Sequence, residues 1–502
     1  MADFILSGLF SDHAVFARNK EIRIFGKAKR HTALKATLIS ESGETLCTDQ
    51  CITEGEGFLL FFPPQRAQTG CRLLITDGDT TNEYRDIAIG DVYLAGGQSN
   101  MELELQNADE GKDLICTHNN PLVRYYNVPK RAREGDETEQ ANMDARWVSI
   151  EPGTAADMSA AAYFFAMKLQ LEIDVPVGII DCYWGGTSIT CWMDKETLNE
   201  SAEGQRFIRE YEEASRGKTM ADYLREEEAF NAEMKEWSDA ADQLKKDEPN
   251  ITPQQLNERL GPFPWHPPVG PGSPFRPHGL YDVMFRRVVP YGLTGVLFYQ
   301  GEADTWRTEK YEGLLTAFIL RLRALFMDPN LPFLNVQLPM WIEKGAADSK
   351  TWPRLRMEQY RTYCNLRNTG LAVLLDQGEF DNIHPTNKRV VGERLYLEAL
   401  RVVYHRNAAQ AVFAIRKHTA GNILIVHLSA EVMEEEQGEY LMEIAGQDGV
   451  FYPASVIIQH EALYLHCPRV TRPIKARYAW TDYAIVRLFG TNGLPLAPFY
   501  LE

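Results

Sequence analysis

The 502-residue sequence is short of positive charge: 52 Lys and Arg stand against 70 Asp and Glu, a formal net charge of -18. That deficit argues against a nucleic-acid-binding surface and against docking on anionic lipid, since both need a cationic face. An acidic substrate would need cations placed locally. Apolar runs are short and broken by charge or glycine, so nothing in the sequence approaches a membrane span. The start, Met1-Ala-Asp-Phe-Ile-Leu-Ser7, has neither a basic n-region nor a long apolar h-region. The expectation is therefore a cytoplasmic chain, or a secreted or periplasmic one if a leader was trimmed. The eight cysteines are scattered, none forms a metal-type Cys-x-x-Cys pair, and Cys47 with Cys51 lacks histidines at zinc spacing. They read mostly as reduced core residues. No internal repeat or low-complexity segment stands out.

What is present is a change of texture along the chain. The length sets a prior of two to four domains. Residues 1–89 carry strand signals, among them Glu21–Phe25, Ala33–Ile39 and Cys71–Ile75 between Gly, Asp and Thr turns, and predict a small β-sandwich-like domain. From 90 to 405 strands alternate with helices, the pattern of a parallel α/β sheet covered on both faces. Strands are expected at Val175–Cys182, Gly295–Tyr299, Phe333–Leu338 and Leu371–Asp376. Helices are expected at Ser159–Glu172, Thr308–Phe326 and Trp352–Asn368, with a last one opening at Pro385. A charged stretch at about 196–260 reads as solvent-facing helices inserted into this domain. It is followed at 261–277 by a stiff loop holding Pro262, Pro264, Pro267, Pro268, Pro271, Pro274 and Pro277. Residues 406–502 return to strands and predict a C-terminal β module.

The centre of the chemistry is Asp91-Val-Tyr-Leu-Ala-Gly-Gly-Gln-Ser-Asn-Met101, an apolar strand stopped by glycines with Ser99 just behind it. Alone, such a serine more often caps a helix. Three other groups also follow expected strands: Gly185-Gly186, Gln300-Gly-Glu302, and Asp381 with His384. In an open parallel sheet ligands bind outside the carboxyl ends of the strands, so the fold would gather all four. A serine hydroxyl needs a base, which His384 can supply, and Asp381 could orient its imidazole. Backbone N–H groups of Ser99 and Gly186 could receive an oxyanion. Glu302 and Asp304 could equally be capping or ion-pair groups.

Gly97-Gln-Ser-Asn-Met101, Trp184-Gly-Gly-Thr187, Tyr299-Gln-Gly-Glu302 and Asp381-Asn-Ile-His-Pro385 resemble, in order, the blocks of the SGNH hydrolases. More narrowly they look like the sialate O-acetylesterase family of carbohydrate esterases. Leu9–His13, Leu331–Pro339, Arg477–Trp480 and Gly493–Pro495 are similar to that family too. The resemblance implies a flavodoxin-like SGNH core flanked by β modules, acting as a serine esterase on acetyl esters of sugars. It implies Ser99 as nucleophile, His384 as base, Asp381 as its carboxylate partner and Gly186 in the oxyanion hole. Where the wider pattern has an asparagine, this chain has Gly301-Glu-Ala-Asp304, which points to Gln300 as the third donor. Gln98 and Glu302 stand as supporting residues. No metal or organic cofactor is implied. The implied partner is an O-acetylated sialic acid or another acetylated sugar, with Arg276 and His278 as candidates to meet a sialate carboxylate. A binding protein without turnover, and assembly into a homo-oligomer, stay open.

Overall fold

The computed structural model describes residues 4–248 and 251–502, so the first three residues of the leader reading and two residues of the charged insertion lie outside it. Its centre is a sheet whose strands are β1 (Thr81–Gly97), β2 (Asn120–Asn127), β3 (Trp147–Ile150), β4 (Val177–Tyr183), β5 (Gly295–Tyr299), β6 (Phe333–Gln337) and β7 (Thr369–Val373). Their order across the sheet is β3-β2-β4-β1-β5-β6-β7. Among these seven strands β3 alone runs antiparallel to its neighbour. Strands β4 to β7 are buried along their whole length, which is why they read as continuous apolar runs without alternation. From β1 the chain first builds one flank (β2 to β4), then crosses back to build the other (β5 to β7). The C-terminal end of β1 is thus the topological switch point, where an open α/β sheet leaves a crevice.

Helix α1 (Ala160–Ile173) starts at Ser159, whose Oγ accepts from the Ala162 N–H at 3.2 Å and donates to the Met101 carbonyl at 2.6 Å. One serine thus caps the helix and anchors the turn after β1. The charged insertion forms α2 (Ala202–Ala214), α3 (Met220–Asp247) and α4 (Pro253–Leu260). Helices α5 (Tyr311–Leu325), α6 (Thr351–Asn365) and α7 (Lys388–Val402) follow β5, β6 and β7. Helix α7 begins three residues later than Pro385 suggested. The intervening backbone is committed elsewhere: Thr386 O accepts the amides of Asp109 and Lys388.

The flanking sheets are not separate beads. The N-terminal strand Gln68–Thr76 pairs with β1, and Val15–Ala17 runs parallel to Ala88–Gly90. Strand β1 is 17 residues long and crosses the division expected at residue 89. The C-terminal residues form antiparallel sheets over Ala414–Ala420, Ile423–Leu428, Ala462–His466 and Ser455–Gln459, and over Phe451–Pro453, Met442–Ala445, Lys475–Tyr478 and Phe499–Leu501. Their hydrophobic core includes Leu371 and Val373 of β7. Arg356, buried in α6, donates to the carbonyls of Pro339, Ala479 and Thr481; burial pushes its pKa down to about 9. Asp482 accepts the amides of Ser349, Lys350 and Trp352 at the start of α6. Cysteines are less uniformly internal than expected: Cys71, Cys182, Cys191 and Cys467 are buried, whereas Cys116 and Cys364 are exposed. No helix among the described residues is long and apolar enough to cross a membrane.

Candidate active site

Both neighbours of β1 end level with it: Gly97 is in register with Tyr183 of β4 and with Tyr299 of β5. The loops that start at Trp184 and Gln300 therefore leave the sheet beside Gln98 and Ser99. Gly97 has φ +134°, and a Cβ there would stand 2.0 Å from the Tyr299 carbonyl oxygen. Only glycine allows the chain to turn this close to β5. Ser99 opens a single helical turn, Ser99–Glu102, and His384 reaches it from the loop before α7. The distance from Ser99 Oγ to His384 Nε2 is 2.8 Å, across a sequence separation of 285.

The His384 ring is exposed at the crevice. The protein around it and the charge of Lys388 nevertheless disfavour the imidazolium and draw its pKa down to about 4. Solvent at the ring tempers that depression without reversing its direction. A neutral imidazole at working pH can take a proton from the serine hydroxyl.

Beneath this pair lies a buried polar layer. Asn100 Nδ2 donates to Glu302 Oε1 at 2.6 Å and to the Ile383 carbonyl at 3.0 Å, while its Oδ1 accepts from Lys388 Nζ at 2.6 Å. One amide therefore ties the serine turn to the loop of His384. Burial pushes the Glu302 carboxyl up and the Lys388 ammonium down, each against the pull of the other. Glu302 Oε2 is buried without a hydrogen-bond partner among the described residues. Gln98 Oε1 accepts the amides of Gly301 at 3.4 Å and Ala303 at 3.1 Å, so it supports the loop after β5. Asp304 clamps that loop to the one after β4, accepting from Ser188 Oγ at 2.6 Å and Ile189 N at 2.9 Å.

Gln300 belongs to this layer and is not the third oxyanion donor. It is fully buried, and its two N–H hydrogens already face Asp304 Oδ2 at 2.6 Å, Thr187 O at 3.1 Å and Gln98 Oε1 at 3.3 Å. Its carbonyl oxygen accepts from Tyr311 at 2.6 Å. Asp381 is also placed differently from expectation. Its backbone is left-handed at φ +59°, and Oδ1 accepts the Lys344 amide at 2.9 Å. No hydrogen bond joins it to His384 among the described residues; the His384 amide is held by Asn382 Oδ1 at 3.1 Å.

Arg276 and His278 are not free to meet a carboxylate either. The Arg276 guanidinium is half-buried and donates to the carbonyls of Ala132, Ser273 and Gly279. His278 Nδ1 is 2.6 Å from Asp282 Oδ2. Gly186 has φ +71°; its neighbour Gly185, where a Cβ would stand 3.4 Å from Ser99 Cβ, donates its amide to Glu102, which also pairs with Lys130. Sequence reasoning missed Asn100, Lys388 and Glu102. Asn100 stood inside the Gly97–Met101 block, whereas nothing local marks a lysine four residues beyond His384 as buried beneath it.

Comparison with known proteins fits this geometry. A family model described as carbohydrate esterase, sialic acid-specific acetylesterase, matches residues 265–401. The chain is 25% identical over 459 residues to the sialate O-acetylesterase of Mus musculus, spanning 84% of this chain and 79% of that one. It is 25% identical over 466 residues to the protein of the same name from Rattus norvegicus, with the same two coverages, 84% and 79%. Among solved structures it resembles a carbohydrate acetylesterase from Xanthomonas citri, with a TM-score of 0.76, 25% identity and 99% of each chain covered. Fold, site and likeness together define a carboxylic ester hydrolase of α/β fold. Within that class the chain is similar to the sialate O-acetylesterase family of carbohydrate esterases.

Proposed function

We propose that this chain is a serine esterase on an SGNH-type core that removes O-acetyl groups from sialic acid, of the 9-O-acetyl-N-acetylneuraminate type. The observation that carries the reading is the 2.8 Å contact between Ser99 Oγ and His384 Nε2 at the switch point of the sheet. In this mechanism Ser99 Oγ attacks the acetyl carbonyl carbon while His384 Nε2 takes its proton. The tetrahedral intermediate expels the sugar oxygen, which receives that proton from His384. Water then adds to the acetyl-serine, giving up a proton to the same nitrogen, and acetate leaves with Ser99 restored. The amides of Ser99 and Gly186 are the proposed oxyanion donors; Ser99 begins a helical turn, where an N–H has no intrahelical acceptor.

One observation favours a second reading, the same chemistry on a neutral acetylated sugar such as xylan. Arg276 is spent on three carbonyls, and His278 is engaged by Asp282, so a sialate carboxylate would find both of its expected partners occupied. The test is acetate release from 9-O-acetyl-N-acetylneuraminic acid by wild type and Ser99→Ala. Release that the variant loses by several orders of magnitude establishes nucleophile and substrate class together. Cleavage of p-nitrophenyl acetate and acetylated xylan but not of the sialate moves the assignment to the neutral sugar. Failure on all three esters removes the esterase reading.

A further inference from the structure

The proline-rich loop carries an aromatic shelf next to the loop that borders Ser99. Trp265 stacks on Phe263, with centroids 6.3 Å apart and planes at 16°. It meets Phe275 and Phe230 edge to face, at 5.6 Å and 6.1 Å. The long insertion helix α3 braces this shelf. Besides Phe230 it supplies Trp237, which packs edge-on to Phe263 at 5.1 Å and donates its indole N–H to the Gly261 carbonyl at 3.1 Å. It also supplies Glu233, whose carboxylate is 3.0 Å from His266 Nε2. Such bracing holds one ring in place at low conformational cost on binding.

That ring lies against the glycine loop that borders Ser99. A Cβ on Gly186 would stand 2.2 Å from Trp265 Cζ2, and one on Gly185 would stand 3.4 Å from Ser99 Cβ. Yet Trp265 keeps 47% of its surface exposed, and its indole nitrogen makes no hydrogen bond among the described residues. A large ring held rigid and half bare beside a nucleophile calls for an occupant. The flat face of an indole carries negative charge density and suits the C–H face of a pyranose, whose hydrogens are slightly positive, while the free N–H can meet a sugar hydroxyl. We infer that Trp265 is the platform for the sugar ring: the pyranose lies against the indole while its acetyl ester reaches Ser99. The insertion then serves specificity, by holding that platform. This rests on the carbohydrate esterase reading and adds the residue that selects the alcohol half of the ester.

The test measures Trp265→Ala and Trp265→Phe on the acetylated sugar that wild type cleaves and on p-nitrophenyl acetate, which has no pyranose. The ratio of kcat/KM for the sugar ester to that for p-nitrophenyl acetate should fall about tenfold or more in Trp265→Ala, mainly through KM, and recover in part in Trp265→Phe. An unchanged ratio, whether both activities fall together or neither does, overturns the proposal, because the ring would then only support Gly186. A binding measurement separates this from failure of the esterase reading. Titration of Ser99→Ala with free N-acetylneuraminic acid and with xylobiose should perturb tryptophan fluorescence for one of them, and Trp265→Phe in that background should abolish the change. A signal that persists without Trp265, or no signal with either sugar, counts against the platform even if hydrolysis is confirmed.

Discussion

Below Ser99 the crevice is lined by amides and carboxyls that are buried and bonded to one another, while around it the insertion offers exposed ion pairs and a half-bare indole. The floor joins loops from opposite ends of the chain through Asn100, Gln300 and Asp304. The rim is local, held by α3 and the proline-rich loop. A buried polar group tolerates no loose partner, so the floor admits few changes. Surface pairs are worth little, so the rim can change while the reaction stays the same. In the proposed reading the floor fixes the chemistry and the rim selects the sugar.

The sharpest break comes from the proposed reacting pair, Ser99 and His384. His384→Ala should lower kcat/KM on p-nitrophenyl acetate by about 10³-fold or more with little change in the thermal midpoint, since His384 sits exposed above the floor. A fall in thermal midpoint of matching size would mean that the ring carries the fold. Asn100→Leu should cost both activity and stability. It strands Lys388 and Glu302 in the interior, at about 3–5 kcal/mol by denaturant titration; a loss under about 1 kcal/mol would show that the floor is not one unit.

Next comes pH. With the His384 pKa depressed to about 4, the base stays neutral above that value, so kcat/KM should hold steady down to mildly acidic pH and fall as pH drops through about 4. Because the charge of Lys388 is one cause, Lys388→Met should move that acid limb upward; a limb that stays put would remove Lys388 from the electrostatics. The folded state pays for the same depression. Unfolded chains take up this proton near the ordinary histidine value, so stability should decline as pH falls from about 6.5 towards 4. Smaller again is Asp381→Asn, expected to change kcat less than about threefold because the carboxylate serves the Lys344 amide; a 10³-fold loss would restore it as the histidine's partner. Smallest is Lys235→Ala, which removes an exposed pair with Asp239 on α3 and should shift the thermal midpoint by less than about a degree.

The elements that were legible in the sequence are those with local causes. Apolar runs closed by glycine located the ends of β1 and β4, and with them Ser99 and Gly186; a run ending before Gln300 located β5. What escaped depends on groups far away in the chain. Asp381 looks like a partner for His384 three residues on, but a left-handed turn carries its carboxylate to Lys344, 37 residues back. Arg276 looks like a ligand for anions until Ala132, 144 residues upstream, is seen to take one of its hydrogens. Gln300 was rightly placed but wrongly aimed, since the direction of an amide is set by its neighbours. Gly90 stands at the division that the sequence placed after residue 89. In the fold it is small because the Pro176 carbonyl lies against it, 2.0 Å from where a Cβ would be, and the strand runs on.

That uninterrupted strand has a consequence for anyone wishing to shorten this protein. A cut at residue 90 would sever a beam of which Ser99 is the free tip and the N-terminal strands are the clamp. The smallest working unit therefore keeps its first ninety residues, and they cannot be exchanged for a foreign module as a bead on a string could. Fusions and truncations are better sought at the insertion, whose helices the beam does not cross.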